Sequence, residues 1–495
     1  MHKQDELHKL IKSLTKSEKR YFTINAAKID GNKNYLKLFE IIDSQKEYNE
    51  EDAKQKLSKK GVQERYAITK KYLFDVLIET LINYTSYDTV KYKLQETLKQ
   101  IEVLESREVF SICLDHIQRA KKLAWRHEYF PELISLNRIE DKVKRKIVGR
   151  SYSDTNIVTA EYEKIIDYYT NFLAYEKLQK KIEAALITST TQVPELNELW
   201  NNALLQDESR AISMRSKNVF YFLQILKHGI EGDYAKQYYY AYRSLLHYEK
   251  MFEKELYETP HVYLMRINNF LISAIHAKQF EHADHYFQKL QEFEQLKIKV
   301  EYKVLAKQYY YRNILDYLYC IKKFDEAIVR INKIESDQFL LGKHVKNNFR
   351  EAIYNSCFRI FFLAGDYKMA LHFINQLVNQ KYNAIAFWGI LARMLSLITH
   401  FELGNESNIL YEIESMERIL KPLDQKPILE NILLLHFKEI LKISDSKQAN
   451  QLYDILISEL KKTKQNATEK LKFEYFDFIL WAESKRQRKS MKVLL

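Results

Sequence analysis

The residues able to do chemistry are sparse in this chain of 495 residues. The densest group is His276, His282, Asp284 and His285. A spacing of three brings His282 and His285 onto one helical face, as a metal site requires, but Asp284 points elsewhere and no cysteine is near. We read the group as a turn between two helices. Cys113, Cys320 and Cys357 are far apart and lack CxxC spacing. They fall in apolar stripes, where a thiol packs inertly, and a sparse odd count suits a reducing compartment. There is no GxxxxGK[ST], GxGxxG, GxSxG or HExxH, and nine glycines scattered along the chain cannot build a phosphate cradle. The carboxylate pair Glu50 and Glu51 suits a helix first turn, where acids complement the dipole. The expectation is a protein without enzymatic activity, cofactor or metal.

Two residue classes remain that could bind rather than react. Tyrosine occurs 36 times, with runs at 238–240 and 309–311 flanked by Arg243 and Arg312. Tyrosine beside arginine suits protein interfaces, and stacking on single-stranded bases as well. Three consecutive tyrosines sweep most of a helix circumference, so at least one in each run should be core and one exposed. Lysine supplies the second class. The net charge is +12; residues 1–150 hold 31 Lys/Arg against 23 Asp/Glu, a net of +8. Lys54, Lys59, Lys60, Lys70 and Lys71 cluster there. Short helices around them would make a helix-turn-helix or winged-helix reader of nucleic acid, although no wing-like strand is visible. A helical cap closing an array accounts for the same residues.

The elements that must carry these residues are helices. Gly and Pro together number 14 of 495, about 3%, against roughly 12% in average usage. Hairpins and βα loops need those residues, so sandwiches and barrels are excluded. Thr15 and Glu18 have capping-box spacing ahead of a helix through Tyr21, Phe22 and Ala26, which Asp30-Gly31-Asn32 should break. Tyr35, Leu36, Leu38, Phe39 and Ile42 mark a second helix, and Asn49 caps a third ending near Lys60-Gly61. Ile68, Tyr72, Leu73, Val76, Leu77 and Ile82 predict the buried stripe of a long helix over 65–84. Further on, 118–125 and 132–146 predict a pair meeting near Pro131, and 155–186 a long helix. Residues 188–194 read as a loop. A helix over 473–482 and a basic end at 484–495 close the chain, either as a solvated cap or as a contact for acidic RNA or protein.

From about residue 86 onward a pattern recurs. The clearest copy is Gly365-Asp366-Tyr367 followed by Ala370 and Ile374; others carry Phe280/Ala283 and Phe324/Ala327, and weaker ones begin at Gly232 and Gly404. The third anchors fall at 237, 283, 327, 370, 409 and 449, with successive gaps of 46, 44, 43, 39 and 40. Such near-regular spacing predicts a solenoid of helix pairs.

These residues resemble the tetratricopeptide repeat, whose core reads G-x-Y-x-x-A, over about residues 230–460. The repeats are longer than the family norm, and its Trp, Leu-Gly and terminal Pro positions are mostly missing. The resemblance implies an all-α, superhelical array of antiparallel helix pairs. It implies a concave groove lined by the first helix of each pair, with Asn268, Arg312 and Asn355 at equivalent positions that grip the backbone of an extended peptide. Tyr309, Asp316, Tyr319, Arg359 and Phe362 would share those faces.

The expected organisation is an N-terminal basic helical module (1–85), a region of divergent repeats (86–230) and the repeat array with its basic cap (231–495). The longest apolar stretches, 360–364 and 432–435, are far too short to span a membrane, and no signal peptide opens the chain. The expected protein is cytoplasmic, with a protein or peptide segment as partner in the groove. The alternative is a nucleic-acid-binding regulator with a basic N-terminal module and a repeat-built sensing domain.

Overall fold

The computed structural model describes residues 6–28, 33–62, 66–85, 90–148, 155–188, 194–251, 260–342, 345–379, 387–422, 427–466 and 469–495. Every regular element among them is helical, and no strand is present among the described residues. The helices divide into two compact units, one of Met1–Leu173 with Ser213–Arg215, the other of Ala174–Ile212 with Ser216–Leu495.

The first unit begins with α1 (Glu6–Ser13), α2 (Lys16–Lys28), α3 (Asn34–Ser44), α4 (Glu50–Lys59) and α5 (Tyr66–Thr85). The capping box forms: Thr15 N–H donates to Glu18 Oε2 at 2.7 Å and Glu18 N–H donates to Thr15 Oγ1 at 3.2 Å. Asn49 caps α4 by accepting from Asp52 N–H at 3.0 Å, and Gly61 closes it with φ +77°. The expected break at 30–32 lies outside the described residues. Phe22, Tyr35, Leu38, Ile42, Leu73 and Leu77 share one core. The stripe on α5 needs correction. Its buried face carries Thr69, Leu73, Val76, Leu77 and Thr80, whereas Ile68, Tyr72 and Ile82 are exposed. The helix is apolar almost all round, so periodicity could not pick the core side.

The unit continues with α6 (Val90–Ser106), α7 (Phe110–Arg126), α8 (Phe130–Val148) and the long α9 (Thr155–Thr188), whose part from Ala174 onward belongs to the second unit; α7 is about twice as long as the 118–125 that the sequence predicts. Ile101, Ile117, Phe130, Leu133 and Ile165 form their core. Lys121 is buried there because it is fully engaged, donating to Asn137 at 3.1 Å and Glu140 at 2.7 Å and pairing with Glu161. Of the loop expected at 188–194, residues 189–193 lie outside the described residues.

After α10 (Pro194–Trp200), twelve helices run as consecutive pairs: α11 (Met214–Glu231) with α12 (Tyr234–Met251), α13 (Pro260–Ala277) with α14 (Ala283–Glu292), and α15 (Val300–Cys320) with α16 (Phe324–Ser336). Then come α17 (Asn347–Ala364) with α18 (Tyr367–Val378), α19 (Phe387–Glu402) with α20 (Glu406–Leu420), and α21 (Ile428–Ile440) with α22 (Ser446–Thr463). First helices also pack on one another, α13 on α15 and α15 on α17. The recurring small residues are the reason for close approach: Ala283, Ala327 and Ala370 are 2%, 0% and 0% exposed. The expected C-terminal helix over 473–482 is instead broken. α23 (Lys472–Tyr475) ends at Phe476, whose backbone is extended (φ −157°, ψ 136°), and α24 (Phe478–Gln487) and α25 (Met491–Leu494) follow.

One turn builds most of this. After α6, α7, α11, α13, α15, α17 and α19 a single residue takes positive φ: Glu108, Glu128, Gly232, Lys278, Lys322, Gly365 and Gly404. Each turn is closed by the same two bonds. At Gly365 they run from Gly365 N–H to Phe362 O at 3.2 Å and from Asp366 N–H to Phe361 O at 3.0 Å. Asp366 then caps α18 by accepting from Met369 N–H at 3.0 Å. A Cβ at Gly365 would meet nothing within 4 Å, so substitution there reports backbone strain alone. Gly365→Ala should lower stability by about 1 kcal/mol. Lys278→Gly and Lys322→Gly should each raise it by about 0.5–1 kcal/mol, because a side-chain-bearing residue in the left-handed region is relieved. Denaturation midpoints of the three variants check both signs; a stabilised Gly365→Ala would sink the assignment.

Candidate binding face of the repeat pairs

Among the sequence-predicted groove residues, Asn268 lies on α13, Tyr309, Arg312, Asp316 and Tyr319 on α15, and Asn355, Arg359 and Phe362 on α17. They form a connected row. Asn313 Nδ2 donates to Asn268 Oδ1 at 2.9 Å. Arg359 sits 3.9 Å over the Tyr319 ring, with its Nη1 3.6 Å from Asp316. Ser356 Oγ donates to the same carboxylate at 2.8 Å. The Tyr309 ring meets Phe349 at 5.4 Å, and Arg312 lies 6.0 Å over that ring. Asn355 Oδ1 and Arg359 Nε are buried without a hydrogen-bond partner among the described residues.

The row is not an open groove, because the chain's own C-terminal segment crosses it. Tyr234 Oη donates to Glu474 at 2.8 Å. Tyr475 has Arg312, Asp316 and Arg359 as electrostatic neighbours, and burial pushes its hydroxyl pKa up. Phe476 packs on Phe362 at 5.1 Å and Phe358 at 5.9 Å. Trp481 donates from Nε1 to Glu402 at 2.7 Å and stacks near Phe437 at 5.7 Å. Residues 474–481 thus touch α12, α17, α19 and α21 and lie beside α15.

A buried ion triad ties this segment down. Lys472 Nζ lies 2.6 Å from Glu430 and 2.8 Å from Glu469, with all three side chains under 10% exposed. Glu469 also accepts from Ile428 N–H at 3.1 Å. Burial pushes the Glu430 carboxyl up, and Lys472 draws it part of the way back. Sequence reasoning missed this role for the terminus. The signal was present: Phe473, Tyr475, Phe476, Phe478 and Trp481 are too many aromatics for a solvated cap.

One stretch of the face stays open. A cleft of about 430 Å³ is bounded by α11, α12, α13 and the returning segment. Phe222, Ile225, Leu226, Ile230 and Leu471 supply its apolar lining; Ile230 and Leu471 are 51% and 47% exposed. Asn269, Gln237, His276 and Glu474 make its polar end. His276 Nδ1 lies 3.2 Å from Gln237 Oε1, and burial lowers its pKa, so the ring is neutral at pH 7.

The five lysines are distributed differently. Lys54 pairs with Glu50 at 2.6 Å and Lys60 with Glu40 at 3.0 Å. Lys70 donates to Tyr48 Oη at 3.0 Å and lies 3.8 Å from Glu50. Lys59 and Lys71 are exposed. Five residues apart on α4, Lys54 and Lys59 diverge by about 140°. The structure brings Lys54 and Lys70 together around one glutamate and leaves the others apart.

No group of three or more His, Cys, Asp or Glu side chains able to hold a metal ion occurs among the described residues. Nor is any described helix long and apolar enough to cross a membrane. No protein-family model, curated protein or solved structure matches the chain.

Two measurements probe the segment. Lys472→Ala strands two buried carboxylates and should cost about 3–5 kcal/mol, exposing residues near 470–478 to proteolysis; a melting curve like that of the unaltered chain would contradict the anchoring role. His436, beside Trp481, has both ring nitrogens unpartnered, and burial lowers its pKa to about 4. Between pH 4 and 6.5 the unfolded chain binds a proton that the folded chain refuses, so stability is full above pH 6.5 and falls as pH drops through that window. His436 contributes on the order of 3 kcal/mol to this loss. Denaturation midpoints at pH 7 and 5 should differ less in His436→Phe than in the unaltered chain.

Proposed function

We propose that this protein is a helical-repeat adaptor, without catalytic activity of its own, that takes a segment of a protein partner at the cleft on α11–α13. The observation that carries the reading is the cleft itself. It gathers large apolar side chains and hydrogen-bonding groups around one open space, beside a face already suited to an irregular peptide segment. That combination fits an aromatic or large aliphatic anchor residue whose flanking backbone meets Asn269 and Gln237. The row from Asn268 to Phe362 supports the partner indirectly, by holding the wall that carries Leu471. A nucleic-acid-binding regulator has less in its favour, since Lys54, Lys60 and Lys70 are engaged by carboxylates within their own helical module.

Ile230 and Leu471 are exposed enough that Asp at either should change stability by no more than about 0.5 kcal/mol. Cross-linking and affinity capture from native cells should recover one partner with the unaltered chain. The double variant Ile230→Asp, Leu471→Asp should recover it at least tenfold less, at unchanged melting temperature. An identical set of captured proteins for both chains would refute the adaptor reading at this cleft.

A further inference from the structure

A second cavity, of about 200 Å³, lies among α14, α15 and α16. Its chemistry is unlike the cleft's. Tyr310 and Tyr311 line it although their residues are only 7% and 3% exposed. Their rings are fixed by packing, Tyr310 edge-on to Phe287 at 6.1 Å and Tyr311 against Phe339 at 5.3 Å. Neither hydroxyl has a hydrogen-bond partner among the described residues. Arg330, which lines the same cavity, makes no ion pair among them either. The two carboxylates in the cavity wall are met by another cation: Lys307 Nζ is 3.5 Å from Asp337 and 4.0 Å from Glu294.

Counting the wall, Lys307, Arg330 and Lys333 oppose Glu294 and Asp337, which leaves one positive charge in excess. Burial first, then the neighbouring carboxylates, pushes Tyr311 up to about 12, and Tyr310 shifts the same way. Both phenols are therefore protonated donors at neutral pH. The two carboxylates of the wall are met by Lys307, so the Arg330 guanidinium and the two phenols have no acceptor of their own among the described residues. Arg is the side chain whose geometry matches a planar or tetrahedral oxyanion.

We propose that this cavity binds the oxyanion group of a small ligand, a carboxylate or a phosphate, with Arg330 as counter-charge and the Tyr310 and Tyr311 hydroxyls as neutral donors. The volume sets the size class. It is below the roughly 300–1,000 Å³ of sites for drug-sized molecules, so the ligand is a free anion or a compact organic acid or phosphate. Specificity comes from the two carboxylates, which repel a second negative group unless it stays at the Lys333 rim. The site stands apart from the partner cleft, and neither reading depends on the other.

The test uses the full chain, with inorganic phosphate and acetate as probes and chloride at matched ionic strength as reference. Melting temperature should rise with one of the two anions in a saturable manner, as ligand binding to the folded state requires, and the anion that acts identifies the source. Arg330→Gln should weaken that anion at least tenfold while leaving the ligand-free melting temperature unchanged. Should Arg330→Gln fail to fold, the variant Tyr310→Phe, Tyr311→Phe gives the same readout, because it deletes two hydroxyls that no protein group holds; a loss of threefold or more is expected. Equal shifts with chloride, or an undiminished response in a folded variant, would overturn the proposal.

Discussion

The turn with one left-handed residue is the constraint on which the rest of the structure depends. Its two hydrogen bonds satisfy carbonyls that the end of a helix would otherwise leave unpaired, and it fixes the direction in which the next helix departs. In six of its seven occurrences between α6 and α20 the next helix begins two residues later. With so short a link, a helix can only fold back along its predecessor. The small residue a few positions into the second helix then lets the backbones approach, so the local turn and the tertiary packing select the same pairing. Consistency of this kind between levels is what makes a long chain of near-identical steps foldable.

A stack of helix pairs joined only to its neighbours has no long-range tie, and the C-terminal segment supplies one. Lys472 is held by Glu430 and Glu469, Phe476 by Phe358 and Phe362, Trp481 by Glu402 and Phe437. Residues far apart in sequence are thereby coupled through one strand of backbone. A buried ion triad is a poor source of net stability, since desolvation offsets much of its attraction. It is a good source of register. A slip of the segment by one residue would bury the Lys472 charge without its carboxylates, so the pairing specifies where each aromatic lands. The segment covers much of the face of first helices and leaves a cleft beside Leu471 and Glu474.

The helix pairs were legible because their signals are local. Capping boxes, a positive-φ glycine and a small residue at fixed spacing each act within a few residues, and Thr15, Asn49, Gly232, Gly365 and Ala370 do what their positions imply. Four of the seven turns carry Glu or Lys at the left-handed position, which is why Glu108, Glu128, Lys278 and Lys322 gave no glycine to read. The stripe on α5 and the continuous helix over 473–482 failed for a different reason. On α5 both faces are apolar, and only packing with α2 and α3 selects one. At Phe476 the extended backbone is imposed by aromatic contacts with residues more than a hundred positions away. The candidate groove residues fall on α13, α15 and α17, while what covers them could not be seen from spacing.

The abundance of tyrosine follows from the same distinction between local and long-range demands. Pairs of helices meet other pairs through side chains long enough to cross the gap, and such interfaces hold carboxylates that take donors. Tyr263 and Tyr286 both donate to Glu249, at 2.7 and 3.1 Å, joining α12, α13 and α14 through one acceptor. Tyr221 donates to Glu208 at 2.6 Å, and Tyr234 to Glu474 at 2.8 Å. A lysine could neutralise the same carboxylates, but its ammonium would have to be desolvated as well. A phenol brings a large apolar ring and a neutral donor in one side chain, so it fills the interface and satisfies the acid without a second buried charge. The run at 309–311 shows the limit of this device. Tyr310 and Tyr311 are both core, against the expectation that one of a consecutive trio must be exposed, because α15 is covered on several sides by α13, α14, α16 and α17. Tyr221, Tyr234, Tyr263 and Tyr286 each meet a glutamate, whereas these two line a cavity.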